Sequence, residues 1–126
     1  MEYLSDEWLA ALDSAARTVT VDPPAADTIV VQTVVTDPPG PAIAYHLTLA
    51  DRSIGVQAGA SDAPTVTFTQ SRETAAAVAS GRRSAQEAFM AGDIRVGGDV
   101  TALIQQREAF RAFDEVMAGV LVETEF

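Results

Sequence analysis

The 126-residue sequence has no cysteine and no lysine. Without cysteine there is no disulfide, no thiol nucleophile and no Cys-ligated metal. Without lysine there is no Schiff-base chemistry, and the lysine of a phosphate-binding P-loop is missing. Histidine occurs once, at His46. A zinc site, which needs several nitrogen or sulfur ligands, therefore has too few candidates. Positive charge is scarce: eight arginines face 18 acids, for a net charge of −10. That balance disfavours nucleic acid and anionic membrane surfaces, since both require a basic footprint. No apolar run approaches the roughly 20 residues of a membrane-spanning helix. The opening MEYLSDEWLAAL carries acids where a secretory leader needs positive charge. The closing Glu123-Thr124-Glu125-Phe126 is neither a peroxisomal nor a retention signal. These absences lead to the expectation of one cytoplasmic domain over residues 1–126, with no integral-membrane segment and no metal or cofactor.

Apolar side chains are plentiful, at 48% of the sequence, but aromatics make up only 6%, so small aliphatics dominate. Their spacing gives the elements. Ser5 followed by Asp6 and Glu7 is a helix start, with a capping hydroxyl and acids at the positive end of the dipole. Leu4, Trp8, Leu12 and Ala15 then recur at helical spacing. Ile29 to Thr36 is rich in β-branched residues and reads as a strand. From Ala42 to Ala50 the chain alternates, with Ile43, Tyr45, Leu47 and Leu49 on one face and His46 on the other. Ile54 and Val56 continue the inward face on a third strand. Val66 and Phe68 do so on a fourth, and the short connections predict an antiparallel meander.

The period then becomes helical. Ser71 and Glu73 start a helix that Gly81 closes, and Ser84 with Glu87 forms an S-x-x-E capping box for another that Gly92 closes. A short strand, Asp93 to Val96, leads to Gly97-Gly98 and to Asp99, a candidate cap. Leu103, Ile104, Phe110, Phe113 and Met117 then keep helical spacing, as one helix or as two broken near Arg107.

Reacting groups are few. His46, on the small polar face of its strand, has no nearby sequence partner for general-base work and reads as a hydrogen-bonded surface imidazole. Asp22, Asp27 and Asp37 fit no EF-hand pattern. Gly97-Gly98-Asp99 lacks the full phosphate-loop pattern and reads as a conformational corner. Arg82-Arg83 reads as a favourable charge at a helix C-terminus, with an acidic ligand head group as the alternative.

The order of these parts and their wording are similar to a known family. VVQTVVTD (30–37), AYHLTLAD (44–51), PTVTFTQSRETAAAVASG (64–81) and, most specifically, AQEAFMAGDIRVGGDV (85–100) resemble the sterol carrier protein type 2, or SCP-like sterol-binding, domain from about Ile29 to Leu103. The resemblance implies an α/β (α+β) fold. Its five-stranded, mostly antiparallel sheet would be covered on one face by helices, enclosing an apolar cavity for a sterol, fatty acid or other lipid. Members act as non-enzymatic carriers or as accessory domains joined to enzymes. One departure is clear: the family's fifth strand is usually lysine-rich, whereas Asp93, Arg95 and Gly97 stand here. That favours a neutral or weakly polar ligand over a CoA ester.

The expected lipid-binding surface is Leu47, Leu49, Phe68, Phe89, Met90, Ile94, Val96, Phe110, Phe113 and Met117, with no catalytic residue. Met and Phe suit a wall that adapts to different chains, and each buried methylene is worth ~0.8 kcal/mol. The Trp8 helix and the Phe110–Met117 stretch are candidate lids. The same residues are equally those of an ordinary filled core. In that case the chain is an accessory module that forms a homodimer or joins a partner enzyme.

Overall fold

A computed structural model describes all residues, 1–126. Helix α1 (Asp6–Ala16) precedes strands β1 (Ala25–Thr36), β2 (Ile43–Asp51), β3 (Ser53–Ala58) and β4 (Val66–Ser71). Helices α2 (Arg72–Ala79) and α3 (Ala85–Met90), strand β5 (Ile94–Gly98), and helices α4 (Val100–Gln105) and α5 (Arg107–Val122) follow. The predicted starts hold at Ser5, Ser71 and Ser84, whose hydroxyls accept from the backbone N–H of Trp8, Thr74 and Glu87. Asp99 precedes α4 but makes no capping bond. The helical pattern after it is two helices, broken at Gln106.

The strands form one sheet in the order β3-β2-β1-β4-β5. β1, β2 and β3 are the antiparallel meander the sequence predicts. β4 is not part of it: it lies on the other side of β1 and parallel to it, and β5 then pairs antiparallel with β4. β1, the longest strand, is thereby hydrogen-bonded along both edges, and β3 stays at the edge of the sheet. Alternation along each strand is unaffected by which neighbour it pairs with, so no feature of the sequence pattern signals this crossover.

The chain between β3 and β4 crosses the polar face of the sheet, and the polar side chains there anchor it. Gln32 and His46 are cross-strand partners, and so are His46 and Gln57. Gln32 Oε1 accepts from Ser61 N–H at 2.8 Å. His46 lies 2.9 Å (Nδ1) from the Gly59 carbonyl oxygen and 3.2 Å (Nε2) from Gln57 Oε1. His46 is thus a hydrogen-bonded surface residue, as expected, and its structural role is to hold this crossing.

Helix α1 packs on β3 and α5 through Trp8, Leu9, Leu12 and Ala16, which join a core with Leu49, Ile54, Phe113 and Val120. A polar contact fixes its register: Asp13 Oδ1 accepts from Val56 N–H at 2.8 Å, and Arg17 Nε donates to Asp13 Oδ2 at 3.0 Å. The Val56 N–H and the Arg17 guanidinium hold the Asp13 carboxyl below its ordinary value of 3.8, against the opposing effect of burial. A depressed carboxylate contributes stability that is complete above the unfolded-state value and is lost as pH falls through the folded-state one. Asp13→Asn is therefore expected to destabilise the protein at pH 7. The difference from the parent should shrink at acid pH, as pH falls through the lowered folded-state value and the carboxylate becomes protonated in both states. Urea unfolding at neutral and at acid pH measures it.

Candidate functional site

The helix-facing side of the sheet is built in rows. One cross-sheet line runs Ala58, Tyr45, Thr33, Phe68, Val96. The next line towards the C-terminal end of β1 runs Ile43, Val35, Gln70, Ile94, and on the other side run Val56, Leu47, Val31, Val66 and Gly98. Strict alternation in each strand puts all these side chains on one face. The helices cover this face incompletely and leave two adjoining clefts.

The first cleft, about 560 Å³, lies under α5. Leu47, Val31 and Val56 form its floor, and Phe110, Phe113 and Met117 its roof; Leu12 of α1 closes one side. Its charged groups are Arg107, Arg111 and Asp114, all on α5. No ion pair links Asp114 to either arginine. The apolar surroundings raise the Asp114 carboxyl above its ordinary value through desolvation. Its side chain stays in contact with solvent, which screens that effect and leaves it modest.

The second cleft, about 610 Å³, lies under α2, α3 and α4. Val78, Phe89, Val100 and Leu103 cover Phe68, Gln70, Ile94 and Val96 of the sheet. No charged side chain lines it. The two clefts share Thr33, Tyr45, Phe68 and Leu103, so the central row of the sheet is the floor where they meet. Burial raises the Tyr45 hydroxyl above its ordinary value, with the neighbouring Thr33 hydroxyl opposing, so the phenol stays protonated at neutral pH.

Of the residues expected on the binding surface, Leu47, Phe68, Phe110, Phe113 and Met117 border the first cleft. Phe68, Phe89, Ile94 and Val96 border the second. Leu49 and Met90 lie outside both. Leu49 shares the face but sits one row nearer α1, fully buried in the core. Met90 is 77% exposed. It directly follows Phe89 on a six-residue helix, and adjacent residues on a helix point about 100° apart, so both cannot face the cleft. Trp8 is not at an entrance: it is fully buried, with Nε1 donating to Thr124 Oγ1 at 3.0 Å and its ring edge-on to Tyr3 and Tyr45. Both clefts open to the surface and share lining residues, so the enclosed cavity expected from the sequence is not shown.

Sequence reasoning missed Thr33, Tyr45 and Gln70. Tyr45 was already placed on the inward face by alternation. Thr33 and Gln70 share the parity of Val35 and Phe68 on their strands, which was the available signal. Arg83, expected at a helix end, instead pairs with Asp93 at 2.7 Å and ties the turn after α2 to the start of β5.

Comparison with known proteins adds an independent line. The sequence profile described as the SCP-2 sterol transfer family matches residues 24–111. No curated protein matches the chain. Among solved structures, one titled as the crystal structure of sterol carrier protein 2 superimposes with a TM-score of 0.66 at 18% identity, covering 92% of this chain and 97% of that one. Palmitated SCP2L2 from Aedes aegypti gives 0.62 at 21% identity, covering 86% and 94%. A conserved protein of Thermus thermophilus, titled as possibly a sterol carrier protein, gives 0.58 at 19% identity, covering 95% and 90%. At these identities the structural likeness establishes the fold. No helix of the chain is long and apolar enough to cross a membrane.

Proposed function

Because the chain belongs to the SCP-2 sterol transfer family, we propose that it is a non-enzymatic lipid-binding or carrier protein. It acts in the cytoplasm as one lipid-binding domain, and its two connected clefts hold a single apolar ligand. The observation that carries this reading is the lining the two clefts share, Thr33, Tyr45 and Phe68 from the sheet and Leu103 from α4, which joins them in one trough between sheet and helices. An acyl chain or a fused-ring lipid laid along it removes many methylenes from water, at ~0.8 kcal/mol each before ordering costs. Native mass spectrometry of protein purified under non-denaturing conditions is expected to show a co-purifying lipid. A protein that carries none, and leaves fluorescent fatty-acid and sterol probes unbound, overturns the proposal.

The carrier reading gives a differential effect at two phenylalanines. Phe89 is about half exposed yet borders the second cleft, and Phe110 is half-buried over the first. Phe89→Ala is expected to lower stability by less than about 1 kcal/mol and Phe110→Ala by about 2 kcal/mol. Both should weaken binding of a fluorescent lipid several-fold. Urea unfolding and probe titration on the same samples separate the two effects. Stability loss with unchanged binding counts against the carrier reading.

A second reading is favoured by one feature. Phe89, Met90, Val100 and Ile104 are large exposed apolar side chains on or beside α3 and α4. They suit a self-association or partner-enzyme contact. Sedimentation at two concentrations separates the readings, since a homodimer through this surface would dissociate on dilution and on Ile104→Glu substitution.

A further inference from the structure

Gln70 is out of place among its neighbours. In its cross-sheet row it stands between Val35 and Ile94, both buried apolar residues. Its side chain shares the helix-facing side with Phe68 and borders the second cleft, which no charged group lines. Its amide oxygen is buried, and no protein donor reaches it. A small polar cleft at the end of the sheet also borders Gln70, with Thr36, Thr74 and Arg95 among its residues. Those groups do not satisfy the amide. The Thr36 hydroxyl donates to the Gln70 backbone carbonyl oxygen at 3.4 Å, and the Thr74 hydroxyl, which accepts from Ser71 Oγ at 3.0 Å, makes no bond to the Gln70 amide oxygen. A buried amide group without a partner costs about 1–3 kcal/mol. An apolar side chain would avoid that cost at this position, as it does at Val35 and Ile94 beside it.

The geometry points to Gln70 as the polar subsite of the trough, receiving the hydroxyl group of a neutral, otherwise apolar alcohol. This rests on the carrier reading and deepens it by naming the ligand class. A hydroxyl both donates and accepts, so it satisfies the amide in either orientation of its oxygen and nitrogen. A carboxylate only accepts, and in a cleft with no cation it would bring an uncompensated charge out of water. An alkane leaves the amide unsatisfied. The Thr33 and Tyr45 hydroxyls, on the neighbouring row, are further partners for the same end of the ligand. The apolar remainder then runs across the shared floor into the first cleft, under Phe110 and Met117.

The test compares 1-hexadecanol, n-heptadecane and palmitate, each delivered from cyclodextrin, as competitors of a bound fluorescent lipid probe. The parent protein is expected to bind 1-hexadecanol about tenfold more tightly than n-heptadecane, the factor one satisfied buried group supplies. In Gln70→Leu that ratio should fall towards one, with n-heptadecane binding retained. In ¹H–¹⁵N spectra of the parent protein the Gln70 side-chain amide pair should shift with 1-hexadecanol and not with n-heptadecane. This readout requires no variant. Equal binding of alcohol and alkane overturns the inference while the carrier reading stands. A preference for palmitate that survives Gln70→Leu also overturns it and moves the head group to Arg107 and Arg111. A bound probe that none of the three displaces overturns the inference alone, and a protein that binds neither the probe nor any of the three overturns both readings.

Discussion

Trp8→Ala is expected to be the most destabilising single substitution in the α1 region, at about 4 kcal/mol. The sequence has one tryptophan, and it is fully buried. Its ring meets Tyr3 edge-on at 5.0 Å and Tyr45 edge-on at 5.8 Å between centroids. Its indole N–H reaches Thr124, near the other end of the chain. Truncation removes the ring's burial, opens a cavity that the sheet cannot collapse into, and strands the Thr124 hydroxyl's acceptor role. For a domain of this size the midpoint of thermal unfolding should fall by on the order of 15 °C. Trp8→Phe keeps most of the volume and loses the hydrogen bond, so its cost should be less than half as large. Tyr45 forms part of the cleft floor, so lipid binding in Trp8→Ala should weaken even where the variant remains folded. Calorimetry and probe titration check the two parts. A loss under about 1 kcal/mol in Trp8→Ala would contradict the packing described.

Gly98→Ala is expected to cost about 3 kcal/mol or more, although it adds a single methyl group. Two features combine. Gly98 has φ +98, a conformation that side chains strain to adopt, and a Cβ there would run into the Thr65 carbonyl oxygen. Thr65 cannot move aside, because three contacts hold it. Its N–H donates to Val30 O at 2.8 Å, its hydroxyl accepts from Val30 N–H at 3.0 Å, and its carbonyl oxygen accepts from Asp99 N–H at 2.9 Å. The clash must therefore be relieved by shifting β5 off β4, which loosens Ile94 and Val96 at the wall of the second cleft. Gly97→Ala is the control: a Cβ at Gly97 meets nothing within 4 Å, so its effect should stay within about 0.5 kcal/mol. The emission of the buried Trp8 reports unfolding in both variants. Equal stability of the two would show that β5 yields at no cost.

The same pair of glycines shows how far the sequence could be read. Their role as a conformational corner was legible, because no phosphate-loop pattern accompanied them. Which of the two was indispensable was not, because that depends on Thr65, more than thirty residues earlier. The capping serines were legible because a cap is satisfied within three residues. Asp99 met the same local criterion and makes no such bond, since its backbone is fixed by the Gly98 corner and the Asp99 N–H bond to Thr65. The inward face was also legible: Leu47, Phe68, Ile94 and Val96 share it as alternation requires. Met90 was misplaced because a six-residue helix gives too little periodicity to say which of two adjacent apolar residues faces in.

By itself the sequence determined the element order, the apolar face of each strand, most helix starts and the family, because all are carried by local spacing and wording. It also excluded thiol, lysine and P-loop chemistry through the residues it lacks. Only the tertiary structure decided that β4 crosses to the far side of β1, a choice between two edges that alternation cannot distinguish. That crossing sets Phe68 and Gln70 beside Thr33 and Val35. It gives the space between sheet and helices its apolar floor, and leaves one amide oxygen there without a partner.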